Sequence, residues 1–199
     1  MEIRFDEQVA IVTGAGRGLG RAHAIAMASK GAKVVVNDFS GSQEISENAN
    51  SVVEEIISAG GEAIANGANV ANFDQVQCMV NETIDKWGRV DILVNNAGIL
   101  RDKTFLKMSV EDIREVIDVH LMGSLNCSKA VWETMREQSY GRIVLTSSSS
   151  GLYGNFGQTN YGAAKMAMVG IMNTLHLEGM KYNIKVNLSL IHISEPTRP

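Results

Sequence analysis

The sequence specifies an α/β protein, one domain built on a doubly wound parallel sheet, and three observations carry that expectation. Short β-branched runs alternate with longer amphipathic stretches, the first run opens straight onto a glycine-rich turn, and no shift in composition divides the 199 residues. The expected strands are Gln8 to Thr13, Lys33 to Asp38, Glu62 to Asn66, Asp91 to Asn95 and Gly141 to Ser147, with a strand-like stretch at Asn183 to Asn187. Several are almost continuously apolar, as strands covered on both faces must be. Between them, Leu19 to Lys30, Glu44 to Ala59, Phe73 to Trp87, Ser109 to Arg136 and Gln158 to Lys181 carry apolar residues at helical spacing and end near Gly or Lys. The 19 glycines against two prolines suit a fold with many tight strand-to-helix turns.

Composition narrows the partners. The net charge is −4, with 18 basic and 22 acidic residues, so a phosphate-binding basic surface and a nucleic-acid partner are not expected. Cys78 and Cys127 are isolated, which suits neither a disulfide framework nor a metal site; both are expected to be buried packing residues. His23, His176 and His192 have no metal-like partners in sequence. There is no leader-like segment at the N-terminus and no run of apolar residues long enough for a membrane span, so a soluble intracellular protein is expected.

The first strand runs into Thr13-Gly14-Ala15-Gly16-Arg17-Gly18-Leu19-Gly20 and then a helix. Glycines there permit positive φ and close backbone approach, and the helix start offers free N–H groups and partial positive charge to a pyrophosphate. A tight turn kept for packing alone is the plainer alternative. Asp38 ends the second strand 18 positions after Gly20, where its carboxylate can accept from an adenosine ribose and repel a 2′-phosphate. This favours NAD over NADP in a Rossmann site, although Arg17 offers a cation near the same region.

Tyr161 and Lys165 lie four apart, hence on one helical face, and Ser148 lies 13 residues before Tyr161 at the end of the fifth strand. With Thr13, Gly14, Gly18 and Gly20 in TGxxxGxG spacing, and the NNAG segment Asn95, Asn96, Ala97 and Gly98, these motifs resemble the short-chain dehydrogenase/reductase family from about Gln8 to Asn187. Val119 to Ser124, Ser147 to Lys165 and the Asn37-Asp38 strand end are closer still to the (3R)-hydroxyacyl-CoA dehydrogenase branch of that family. The resemblance implies a hydride transferred from a secondary alcohol to NAD, with an acyl-CoA as small-molecule substrate. Tyr161 is then the general base, Lys165 holds the nicotinamide ribose and stabilises the phenolate, and Ser148 orients the reacting oxygen. An unperturbed tyrosine titrates near 10, so a nearby ammonium and the nicotinamide charge are expected to lower it. Ser147 or Ser149 replaces Ser148 if the strand end is bulged.

Other expectations follow from departures and neighbours. His120 stands where most relatives carry an asparagine feeding a water chain to the lysine; it is a relay or a satisfied interior histidine. Asn69, before Val70, replaces the common aspartate and can still bond an adenine edge. The NNAG segment either touches the cofactor or steadies the sheet. Phe105, Leu152, Tyr153 and Phe156 are pocket or core residues. Residues 1–187 are read as an incomplete dehydrogenase domain lacking its last strand, and 188–199 (LSLIHISEPTRP) as an atypical tail resembling adapter read-through. The resemblance also implies a homodimer in the complete form and a peroxisomal setting, with the cytoplasm as the alternative. The competing functional readings are a 3-oxoacyl or other ketone reductase and a catalytically silent nucleotide-binding module.

Overall fold

The computed structural model describes residues 3–42 and 44–191. The chain runs β1 (Val9–Thr13), α1 (Gly18–Ser29), β2 (Lys33–Asn37), α2 (Glu47–Ser58), β3 (Glu62–Asn66), α3 (Phe73–Trp87), β4 (Ile92–Asn95), α4 (Val110–Ile117), α5 (Gly123–Glu137), β5 (Gly141–Ser148), α6 (Ser149–Tyr153), α7 (Thr159–Gly179) and β6 (Ile184–Ile191). Six strands pair in parallel in the order β3-β2-β1-β4-β5-β6. The chain leaves β1 toward β2 and β3, then returns to its other side at β4. This switch in direction opens a crevice at the carboxyl ends of β1, β2 and β4.

Strand alternation splits the interior into two layers. Ala10, Val12, Val34, Val36, Ile92 and Val94 pack against Ala24 and Ala28 of α1 and Ala49, Val52 and Ile56 of α2. The alternate residues Ile11, Val35, Leu93, Ile143, Leu145 and Val186 meet Met79 of α3, Val131 and Met135 of α5 and Met168 of α7. Burial of both faces is why β1 reads as an unbroken apolar run. Local signals set the helix ends. Asn72 caps α3 by accepting from Gln75 N at 3.1 Å, and Gly88, with φ +74°, closes it in the left-handed conformation.

The expected helix over Ser109 to Arg136 is interrupted. Ser109 and Asp112 form a reciprocal capping box at the start of α4, and a π-helical turn, Asp118–Met122, then separates α4 from α5. A single five-residue turn is too short to stand out in apolar spacing read over the whole stretch. α7 stops at Gly179 and a 3-10 turn, Met180–Tyr182, leads to Asn183 at φ +56° and into β6. Pairing between β5 and β6 extends from Gly141↔Ile184 to Ser148↔Ile191, so the expected boundary after Asn187 falls inside a strand. The rest of the expected tail, with His192, lies outside the described residues. Cys78 is exposed rather than buried, on the outward side of α3, whereas Cys127 is buried and its thiol is pushed up to about 12 by desolvation. Among the described residues no helix is long and apolar enough to cross a membrane.

Candidate active site

The crevice at the switch point is a cavity of about 320 Å³, lined by Gly14, Arg17, Asp38, Asn69, Val70, Asn96, Ala97, Gly98 and Val119 among others. Backbone sterics explain its glycines. Gly14 adopts φ +61°, and a Cβ there would lie 2.8 Å from Ala97 Cα. Gly18, the first residue of α1, adopts φ +57° with open space around it, so conformation alone requires glycine. Gly20 does not line the cavity; its missing Cβ lets α1 settle against Gly14, whose carbonyl carbon would be 2.8 Å away. Thr13 lies behind the cavity and is buried. Its hydroxyl accepts from Asn96 N and Ala97 N, both at 3.0 Å, and donates to Val94 O at 3.3 Å, joining the ends of β1 and β4. Leu19, the second residue of α1, is exposed and outside the cavity lining.

Asp38 is held on two sides. Ser46 Oγ donates to Asp38 Oδ2 at 2.8 Å, and the Asp38 Cγ would lie 2.6 Å from a Cβ at Gly16. Asn69 Oδ1 accepts from Ala71 N at 3.0 Å, shaping the turn after β3. Asn95 points away from the cavity, donating to Ser128 Oγ at 3.3 Å, while Asn96 Nδ2 donates to Thr13 O at 2.9 Å and Gly14 O at 3.1 Å. Within NNAG the first asparagine therefore steadies the sheet and the second supports the glycine turn. Glycine approach, an acidic strand end and the start of α1, which has no side-chain cap, together fit a dinucleotide.

A second cavity, of about 410 Å³, is lined by Leu100, Ser148, Ser149, Ser150, Tyr153, Gln158 and Tyr161 among others. Ser147 is excluded from it, since its hydroxyl donates to Lys165 O at 2.8 Å and the side chain is fully buried. Ser148, the last residue of β5, caps α6 by accepting from Ser150 N at 3.2 Å. Of the apolar candidates only Tyr153 lines this cavity; Phe105, Leu152 and Phe156 are exposed elsewhere. Asn160, which sequence reading passed over, is buried beside the tyrosine. Its Oδ1 accepts from Tyr161 N at 2.8 Å, and its Nδ2 donates to Arg101 O and Asp112 O at 3.3 Å each. Its signal was only adjacency to Tyr161, which does not distinguish it from an exposed helix-start residue.

Three titratable groups converge behind this wall. Lys165 is buried, donates to Thr146 O at 2.7 Å, and has its Nζ 5.5 Å from the Tyr161 ring centroid; desolvation lowers it to about 8. His120, on the π turn, meets Tyr161 edge-on at 5.3 Å between centroids. Its Nε2 lies 3.1 Å from Ile99 N and 2.8 Å from Ile99 O. Burial first, then the Lys165 charge, lowers it to about 4, so the ring is neutral at physiological pH. Gly98 is glycine because a Cβ would lie 3.0 Å from His120 Nδ1. Tyr161 departs from expectation. Burial raises its phenol above the usual value, the Ser148 hydroxyl opposes that rise, and the Asp102 carboxylate adds to it. The Lys165 ammonium, bonded to Thr146 O, does not offset the desolvation of the phenol.

A nucleotide crevice at the switch point of a parallel sheet, with a serine, tyrosine and buried lysine on the neighbouring strand and helix, defines an NAD(P)-dependent oxidoreductase. The chain belongs to the short chain dehydrogenase family, whose pattern it matches over residues 8–192. It is 50% identical over 191 residues to the peroxisomal multifunctional enzyme type 2 of Drosophila melanogaster, covering 94% of this chain and 31% of that enzyme. A 3-oxoacyl-[acyl-carrier-protein] reductase of Synechocystis is 49% identical over 180 residues, covering 90% of this chain and 71% of the reductase. A 7α-hydroxysteroid dehydrogenase solved with NADH and 7-oxo glycochenodeoxycholic acid superposes with a TM-score of 0.86 at 33% identity, covering 93% of this chain and 70% of that one. This chain thus spans about a third of the fly enzyme's length.

Proposed function

We propose that the chain oxidises a secondary alcohol, in particular a (3R)-hydroxyacyl-CoA, with NAD as its cofactor. The observation carrying this reading is the placement of Ser148 and Tyr161 on one small cavity, with Lys165 buried behind them and the nucleotide crevice beside them. The acyl-CoA choice is supported by the 50% identity to the fly multifunctional enzyme, whose name also supports a peroxisomal setting. NAD is supported by Asp38, whose carboxylate lines the crevice where a 2′-phosphate would have to sit.

Bound in the crevice, NAD supplies the electron-pair acceptor for the alcohol carbon. Gly14, the start of α1 and Ala97 would hold its pyrophosphate and Asp38 its adenosine ribose, while Asn69 and Val70 would flank the adenine. Lys165, whose Nζ lies 5.5 Å from the Tyr161 ring centroid, would hold the nicotinamide ribose and favour the phenolate. Tyr161 Oη accepts the alcohol proton; burial raises its proton affinity, and a nearby positive charge would favour the phenolate. Ser148 donates to the substrate oxygen and keeps it within reach of Tyr161. His120 stays neutral and keeps the peptide at Ile99 and the Tyr161 ring in place. Exposed Met166 and Leu177 on α7 support self-association through that helix, in keeping with a homodimer.

A second reading, 3-oxoacyl reduction with NADPH, is favoured by the Synechocystis reductase and by Arg17 in the crevice wall. Steady-state assays with NAD plus (3R)-hydroxyacyl-CoA, and with NADPH plus a 3-oxoacyl carrier protein, separate the two. Faster NADH formation from the first pair supports the proposal, and a preference for the second pair replaces it.

A further inference from the structure

Ser46 carries a signal that neither the glycine loop nor the catalytic residues absorb. It is 6% exposed, caps α2, and lies eight residues beyond Asp38. Its hydroxyl accepts from Ala49 N at 3.0 Å, as an N-cap does, and donates to Asp38 Oδ2 at 2.8 Å. A hydroxyl has one proton. One lone pair accepts the helix N–H, and the carboxylate, which can only accept, takes the proton. On the opposite side, the space that a Cβ at Gly16 would fill is taken by the Asp38 carboxylate, and Asn48 Cβ would lie 2.8 Å away. The carboxylate is therefore wedged between the glycine turn and the start of α2, with Oδ2 engaged and Asp38 still lining the nucleotide crevice.

From this geometry we infer that Ser46 is a specificity-determining residue: by fixing the Asp38 carboxylate it presents the second oxygen to an unphosphorylated ribose and sets the preference for NAD over NADP. The inference rests on the reading of Asp38 as the ribose-binding group. Its physical basis is pre-organisation. A carboxylate already oriented does not lose rotamer freedom when the ribose diol binds, and one that cannot swing aside leaves no room for a 2′-phosphate. The same hydroxyl starts α2, so the helix cap and the cofactor preference share one side chain.

The test is titration of the full chain with NAD and with NADP, read by calorimetry, alongside thermal melts without nucleotide. Ser46→Gly is the informative variant, because glycine serves nearly as well as serine at an N-cap while removing the donor. Losing one charge-assisted hydrogen bond should weaken NAD about tenfold and leave NADP unchanged or tighter. Ser46→Thr, which keeps the hydroxyl, should restore the wild-type ratio. Unchanged NAD affinity in Ser46→Gly, or equal losses for both nucleotides together with a lowered melting temperature, would overturn the inference. Asp38→Ala separates the two levels of argument: if the NAD to NADP ratio survives that change, the reading of Asp38 fails and the role of Ser46 fails with it. If Asp38→Ala abolishes the ratio while Ser46→Gly preserves it, only Ser46 is overturned.

Discussion

The nucleotide crevice and the catalytic wall are built in opposite ways. One side of the crevice is consecutive sequence, β1, the glycine turn, α1 and the end of β2, shaped by close backbone approach, and the segments after β3 and β4 close it. The wall gathers Ile99 after β4, His120 on the π turn, Ser148 at the end of β5, and Asn160, Tyr161 and Lys165 on α7. One region depends on what side chains omit, the other on what buried side chains hold. Damage to the first should therefore abolish nucleotide binding, whereas damage to the second, Lys165 apart, should spare binding and remove chemistry.

The largest separation between the two regions is expected from Tyr161→Phe. Loss of the proton acceptor should lower kcat by about 10²–10⁴-fold with nucleotide affinity nearly unchanged, as measured by turnover and calorimetry in parallel. Gly14→Ala should do the reverse. A Cβ 2.8 Å from Ala97 Cα, at positive φ, forces the turn away from β4, so nucleotide binding should be lost and the melting temperature lowered.

A pH experiment sharpens the contrast. His120 is depressed from 6.5 to about 4, so the unfolded chain binds its proton first as pH falls. The stability associated with the neutral buried ring is complete above pH 6.5 and declines through the window down to about 4, by about 3 kcal/mol at most. Denaturant melts across that window should show His120→Gln flattening this decline; an unaltered slope would mean that His120 is not buried neutral.

A smaller effect is expected at Asn160. Asn160→Ala removes the acceptor for Tyr161 N and two long donations, at a cost of about 1–3 kcal/mol in stability. Its kcat should fall by less than that of Tyr161→Phe, with nucleotide affinity preserved. Equal losses of binding and turnover would erase the distinction between the regions.

The same contrast explains what was legible in the sequence. The glycine turn, Asp38 and the Tyr161-Lys165 pair are marked by spacing within a single element, and the strands by their apolar runs. Contacts between elements are not written that way. The choice of Ser148 over Ser147 depends on which hydroxyl meets Lys165 O, and the capture of Asp38 by Ser46 depends on how α2 docks. Thr13 and Gly20 belong to the motif but serve its packing, joining β4 and seating α1 rather than facing the cavity. The π turn stayed hidden because five residues are too few to register in the apolar spacing of so long a stretch. The fall expected for the Tyr161 proton affinity combined the ammonium with the nicotinamide charge; among the protein's own groups burial dominates, and Lys165 bonds Thr146 O.

The central claim, that the two regions meet to oxidise an alcohol, is tested most directly by following absorbance at 340 nm with NAD and (3R)-hydroxyacyl-CoA, comparing wild type with Tyr161→Phe. NADH formation by the wild type and its loss in a variant that still binds NAD is the expected result. Equal rates in both proteins, or no NADH from a wild type that binds NAD, would contradict the account.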